Sequence, residues 1–313
     1  MELPYSLLLA KIEGTYGQEN APSESTDVIT VHGDIKFEMV TKAAERNIPM
    51  AHMGQLAPLI IGEAYKVSGL KIPIKTSGAA GTAPVIGILL RAAGCTEVIS
   101  AGASATYTPH SSLLTESLTV HCWVGVTQHK LIGCIVSSFK LPLVAGERME
   151  ADVELIGLYG GAIADSTYPT PVHTGTEAVW NAANFKFNAI ETLVISKLDI
   201  DLGIEHAMRK DANAATGIER YYVKNRIPKV SFDPEKVALS TLNPFTLHTA
   251  QTACDLETKP TATAGNKIEI LINDITLDAP AYGDRENVRT WELNGTARPA
   301  IATGNTEFSI AFK

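Results

Sequence analysis

The residues best suited to chemistry are three carboxylates at every second position, Glu150, Asp152 and Glu154. Two carboxylates about 5–9 Å apart can cleave a glycosidic bond by acid and base catalysis. These three, however, alternate with apolar residues, which is the pattern of a strand with one solvated face. His121 and Cys122 are adjacent, and adjacent strand residues point to opposite faces, so they predict no nucleophilic dyad. We expect no catalytic group at these positions.

Phosphate and metal sites require patterns that the sequence lacks. Residues 78–82 (Gly-Ala-Ala-Gly-Thr) precede a helical pattern, but they lack the Lys-Ser/Thr pair of a P-loop. No two of the eight histidines stand four residues apart, and the four cysteines form no Cys-x-x-Cys. We interpret the glycine stretch as a turn and the cysteines as reduced thiols. The chain is predicted to be no enzyme and to bind no metal or cofactor.

The composition narrows the kinds of partner. Apolar residues make up 45% of the chain and charged residues 19%, as in ordinary folded proteins. The net charge of −8 disfavours a surface that grips nucleic acid, which needs an excess of Lys and Arg. No apolar run approaches the ~20 residues of a membrane helix, so no membrane association is expected.

Apolar residues alternate with a period of two through much of the chain, which is typical of antiparallel sheets with one buried face. The clearest segments are 118–124, 139–143, 149–155 and 268–272. Two short helices are predicted, one with Thr82 as N-cap and Pro84 in its first turn, the other with Asn243 as N-cap. The predicted fold is mostly β: an antiparallel β-sandwich or barrel with a short helix packed on each sheet system.

The order of these elements runs twice along the chain. A strand, a long irregular stretch, a strand and a short helix follow one another from residue 27 to 93, and the same order runs from residue 193 to a helix that opens at 243–245. Residues 153–157 (Val-Glu-Leu-Ile-Gly) also echo residues 291–295 (Trp-Glu-Leu-Asn-Gly). We therefore hypothesise a tandem duplication. It divides the chain into a first domain at 1–165, a linker at 166–184 and a second domain at 185–313.

Two long stretches, 40–68 and 203–228, show no regular pattern and are predicted to be loops. Loops of that length in a compact domain are usually functional. The first is rich in apolar residues, which favours burial against another subunit. The predicted contact residues are Met50, Met53, Leu56, Leu59 and Ile60.

Several short segments together resemble one known family, the major tail tube proteins of long, non-contractile-tailed bacteriophages. Residues 8–17 resemble the family's N-terminal arm, although Gly14 stands where a polar residue is expected. Residues 77–84 and 89–94 resemble its turn into a single helix. The remaining similar segments are 107–109 and 129–134, like the hairpin that follows, and 157–159, like the end of a sheet strand. The likeness covers residues 6–160 well and the rest loosely.

The resemblance implies a subunit that closes into rings with sixfold geometry, and rings that stack into a hollow tube for the genome. It further implies a location in the virion tail, assembly in the host cytoplasm, and contact with tape measure, tail terminator and distal tail proteins. DNA would pass through the lumen without specific binding, because carboxylates repel phosphate. We expect a strongly negative lumen, and the candidate lumen-facing acids are Glu150, Asp152, Glu154, Asp199 and Asp201.

The duplication has a consequence for stoichiometry. Two tube-type domains in one chain would build a ring of six from three chains, a trimer with pseudo-sixfold symmetry. If the second half is instead an appended domain, a ring holds six chains. Three other functions remain open at this point: a virion decoration or receptor-binding module, the tube of a contractile or secretion-type injection machine, and a β-rich hydrolase.

Overall fold

The architecture was obtained from a computed structural model that describes residues 6–46, 48–49, 54, 56–113, 116–161, 164–300 and 303–313. In the first half the strands are β1 (Ser6–Ile12), β2 (Val28–Ile29), β3 (Lys36–Arg46), β4 (Leu56–Pro73), β5 (Lys75–Thr76), β6 (Cys95–Ser100), β7 (Ser104–Pro109), β8 (Leu118–Val124), β9 (Thr127–Val144), β10 (Glu150–Tyr159) and β11 (Ala164–Asp165). Further strands are β12 (Thr176–Glu177), β13 (Lys186–Phe187), β14 (Lys197–Asp201), β15 (Ile204–Lys210), β16 (Ile218–Arg226), β17 (Lys229–Phe232), β18 (Cys254–Thr258), β19 (Ile268–Leu277), β20 (Ala281–Arg285), β21 (Val288–Ala297) and β22 (Phe308–Phe312). The helices are α1 (Gly87–Ala92) and α2 (Pro244–Thr249). The prediction of a mostly β fold with antiparallel pairing is confirmed.

One run of eight strands, which we call the ribbon, crosses both halves of the chain. Its order is β3-β4-β10-β9-β14-β17-β21-β20, and each neighbouring pair is antiparallel. A second run, β6-β7-β22-β19-β18-β13, is antiparallel throughout as well. Side chains of β9, β19, β22 and α1 line one small internal cavity, so the two runs and the helix enclose the same core.

The two halves share this core. The buried cluster extends from Leu8 near the N-terminus to Phe312 near the C-terminus. The halves are also hydrogen-bonded to each other, β14 to β9 and β22 to β7. The stretch predicted as a linker is partly packed, because the buried Trp180 donates its indole N–H to Thr258 over 3.0 Å. The division into two domains stays a hypothesis.

The helix predictions met different outcomes. Asn243 caps α2 by accepting a hydrogen bond from the Thr246 N–H over 3.2 Å, as predicted. Thr82 is not the cap of α1, which begins five residues later after Ile86 and has no side-chain cap. The start of α1 is set by packing instead: Gly87 lies against Tyr107, and a Cβ there would be 2.0 Å from the Tyr107 hydroxyl.

Both stretches predicted as loops are β-hairpins, which corrects that prediction. β3 pairs with β4 over most of residues 40–68, and β15 pairs with β16 within residues 203–228. Neither hairpin keeps one buried and one solvated face along its length, so the period of two that marks a strand in sequence is missing. The segment that resembles an N-terminal arm includes β1, which is a strand of the core in the single chain. β1 pairs with β8 and β2, and Leu8 is fully buried.

Candidate assembly surfaces

The outer part of the β3–β4 hairpin, residues 39–46 and 56–61, exposes six large apolar side chains, and we call it the arm. Leu59 is 54% exposed and Ile60 is 55% exposed, and Leu56 is exposed as well. These three belong to the predicted contact set. Met50 and Met53, the other two, lie outside the described residues.

The arm is apolar on both of its faces. Leu59 and Ile61 are two residues apart on β4 and share one face, while Ile60 lies on the other. Two of the residues directly opposite on β3 are alanines, Ala44 opposite Leu59 and Ala43 opposite Ile60. A two-stranded hairpin is marginally stable in water without a packing partner. The arm therefore presents apolar surface that the single chain leaves uncovered.

The β15–β16 hairpin contrasts with the arm because the chain itself covers it. Ile218 and Tyr221 are buried in a cluster with Ala64, Ile135 and Leu158 of the first half. We call this the docked hairpin. It shows, within one molecule, how a hairpin from one half packs on the sheet of the other.

Two polar contacts fix the docked hairpin to the first half. The Tyr16 hydroxyl accepts a hydrogen bond from the Tyr221 N–H over 2.7 Å, and the Arg220 guanidinium lies 4.8 Å from the centre of the Tyr16 ring. Burial raises the pKa of the Tyr16 hydroxyl. At the base, Arg226 pairs with the buried Glu307 over 3.0 Å. None of these contacts was predicted from the sequence, since no local pattern connects Tyr16 with Tyr221 or Arg226 with Glu307.

The five candidate lumen acids lie on one face of the ribbon. Glu150, Asp152 and Glu154 alternate along β10, and Asp199 and Asp201 alternate along β14. Lys140 of β9 is opposite Asp152 on one side and Asp201 on the other, which places both strands' acids on the same face. The structure thus brings together acids from both halves.

That face carries lysines among its acids. One row runs across five strands as Lys71, Asp152, Lys140, Asp201 and Lys229, so that charges of opposite sign alternate. Opposite charges directly across a strand pair are favourable, and like charges are unfavourable. The alternation places each of the two aspartates between two lysines and supports the register of strands from both halves.

The acids differ in their surroundings. Asp152, Asp199 and Asp201 line a shallow groove of about 500 Å³. Burial raises the pKa of Asp199, against the opposing effect of Lys197. In the middle of β10 Glu154 pairs with Lys66 over 2.9 Å, and at its start Glu150 accepts a hydrogen bond from His32 over 2.7 Å. Glu150 also pairs with Arg148 over 3.2 Å, so both of these carboxylates have cationic partners.

The candidate catalytic residues of the sequence are not assembled into a site. Cys122 is fully buried in the core, where burial raises the pKa of its thiol to about 12. His121, its neighbour, instead contacts Glu19 over 3.1 Å. Gly81 of the glycine stretch packs against the backbone near Gly102, where a Cβ would lie 2.4 Å from the Gly102 nitrogen. In the described part of the chain, no three His, Cys, Asp or Glu side chains group as a metal would require.

Comparisons with known proteins leave the family open. No protein-family model matches the sequence, and a search of curated proteins finds no significant match. Within the described residues, neither helix has the length and apolar character needed to cross a membrane.

Proposed function

We propose that this protein is a structural subunit that assembles with copies of itself into the rings of a phage tail tube. The observation that carries the proposal is the arm: Leu59, Ile60 and Ile61 are consecutive and each is about half exposed on a two-stranded hairpin. Contiguous exposed apolar surface of this kind marks a protein–protein interface. In a homo-oligomer, the arm of every chain can be covered by a neighbouring copy.

The charged face of the ribbon suits the wall of a conduit for DNA. Its acids repel phosphate, while Lys71, Lys140 and Lys229 are each held opposite an acid. Binding of nucleic acid releases counterions only where basic groups can contact phosphates freely. In the proposed tube this face lines the lumen, and DNA passes over it without being gripped. A map of the tube that places all five candidate acids on the outer surface would refute this part.

The joined halves favour three chains in each ring. β14 of the second half already pairs with β9 of the first half, so one junction between tube-type units lies within the chain. An intramolecular junction avoids the loss of freedom that two separate molecules incur on association. A ring of six units then needs three chains, whereas six chains per ring would mean that the halves are not equivalent units.

Negative-stain microscopy of the purified protein tests the proposal. We expect rings or stacked tubes with a central channel at concentrations above a threshold. A chain that stays monomeric at all accessible concentrations, or phage particles that keep a full-length tail after the gene is removed, would contradict it. Tape measure, terminator and distal tail proteins are the partners expected at the ends of such a tube.

A further inference from the structure

The ribbon ends in two strands that each have one unpaired edge. Among the described residues β3 pairs only with β4, and β20 pairs only with β21. One free edge belongs to the first half of the chain and the other to the second half. Unpaired edges offer backbone N–H and C=O groups to a further strand. The free edge of β3 in one copy is therefore available to the free edge of β20 in another copy.

Strand direction allows the ribbon to continue from one copy into the next. Seven antiparallel steps lead from β3 to β20, so these two strands run in opposite directions. When β3 of a second copy is placed beside β20, the pair is antiparallel, like every other pair in the ribbon. The same alternation holds at the β9–β14 junction between the halves.

The β9–β14 junction indicates which residues would meet. Leu155 pairs with Val67, which pairs with Phe37; in the second half Leu293 pairs with Phe232, which pairs with Leu198. Since 153–157 echo 291–295, Leu155 corresponds to Leu293, and Phe37 therefore corresponds to Leu198. Two residues further along, Met39 corresponds to Ile200.

A residue on the free edge of β3 is exposed where its counterpart on β14 is covered by a neighbouring strand. Ile200 is 3% exposed because β9 lies beside it, with Leu141 directly opposite. Its counterpart Met39 is 55% exposed on the free edge of β3.

The free edge of β20 repeats the pattern. Phe139 of β9 lies opposite Val153 of β10 and is 2% exposed. Its counterpart Tyr282, opposite Trp291, is 54% exposed. Both free edges thus expose a large apolar side chain at a position that the internal junction buries.

We propose that β3 of one copy pairs with β20 of a second copy in the register of the β14–β9 junction. Transfer of that register sets Met39 opposite Asp284 and Glu38 opposite Arg285 of the neighbouring copy. The second of these sets opposite charges across the junction, with Arg285 also paired to Asp233 and Glu235 of its own chain. Such a contact uses two different surfaces, so repetition makes a closed ring when the rotation permits. The inference rests on the proposed self-assembly and specifies its junction.

Disulfide trapping in the assembled protein tests the pairing. Directly opposed residues of antiparallel strands have Cα atoms about 4.5–5.5 Å apart, within the range of a disulfide. The test variant is Met39→Cys with Asp284→Cys, both exposed positions in the single chain. The four native cysteines are buried and give little background. The control is Met39→Cys with Val172→Cys, since Val172 is exposed but belongs to no strand.

We expect oxidation to link chains of the test variant into covalent oligomers on a denaturing gel, while the control stays largely monomeric. A second pair, Thr41→Cys with Tyr282→Cys, traps the same register at the next positions if the first variant folds poorly. Tubes that form normally while both pairs stay unlinked would overturn the junction and leave the tube function standing. Absence of any assembly by the unmodified protein would instead remove the function on which the junction rests.

Discussion

Substitution of Leu59 by aspartate separates the arm's proposed role in assembly from any role in folding. Leu59 is 54% exposed in the single chain, opposite Ala44 of the neighbouring strand. Exposed substitutions away from special features usually change the free energy of unfolding by about 0.5 kcal/mol or less. We therefore expect Leu59→Asp to give a folded protomer with a thermal midpoint close to that of the unmodified protein.

The expected effect on assembly is far larger. Full burial of a leucine side chain is worth about 1.5–3 kcal/mol, so covering its exposed half contributes roughly 1 kcal/mol. An unpaired carboxylate at the same buried position adds a penalty of roughly 3 kcal/mol or more. Since each 1.4 kcal/mol is about tenfold in an equilibrium constant, the critical concentration for assembly should rise at least about a hundredfold.

Sedimentation across a concentration series measures this threshold directly. Leu239→Asp is the matched control, because Leu239 is 50% exposed and lies outside the arm. We expect the control to assemble at nearly the unmodified threshold. Tubes of Leu59→Asp at the unmodified threshold would refute the assignment of the arm as a contact. An equal rise for Leu239→Asp would attribute the effect to added charge rather than to the arm.

Three further predictions concern the folded chain. Arg226→Met should lower the free energy of unfolding in urea by about 3–5 kcal/mol, because it leaves Glu307 buried without its partner; a loss below about 1 kcal/mol would contradict this. Stability should fall as the pH drops from 7 to 5: burial lowers the pKa of several histidines in the folded chain, so the unfolded chain, with a histidine pKa near about 6.5, binds protons first. These histidines are His110, His121, His129 and His206. A urea midpoint that is unchanged or higher at pH 5 would refute the assignment, and His129→Phe should flatten the slope. The four buried thiols should resist a thiol reagent at pH 8 until the chain is denatured, and rapid reaction of the native protein would show that the core is more open.

The sequence predicts the strands that keep one face in the core. Met149, Ala151 and Val153 alternate with acids along β10, and that alternation survives because one side of the strand is buried and the other is not. It does not predict the arm, where Leu59, Ile60 and Ile61 are consecutive and both faces are apolar. That run looks irregular until its pairing with β3 is known.

The helix caps show the same limit at short range. The cap role of Asn243 can be predicted from the sequence because its side chain accepts a hydrogen bond from a backbone N–H three residues away. The start of α1 cannot be predicted from the sequence, because it depends on the contact of Gly87 with Tyr107 of β7. The charged row is the extreme case. Lys140 meets Asp201 from the second half only through sheet register, which the local pattern of neither strand contains.

Electron cryomicroscopy of tubes of the purified protein tests the proposed assembly most directly, because it measures the symmetry of each ring. We expect stacked rings of three chains with pseudo-sixfold symmetry, the ribbon continuous around the channel and its charged face toward the lumen. Six chains per ring would refute the equivalence of the two halves but keep the tube. A protein that forms no ring or tube under any assembly condition would contradict the central claim.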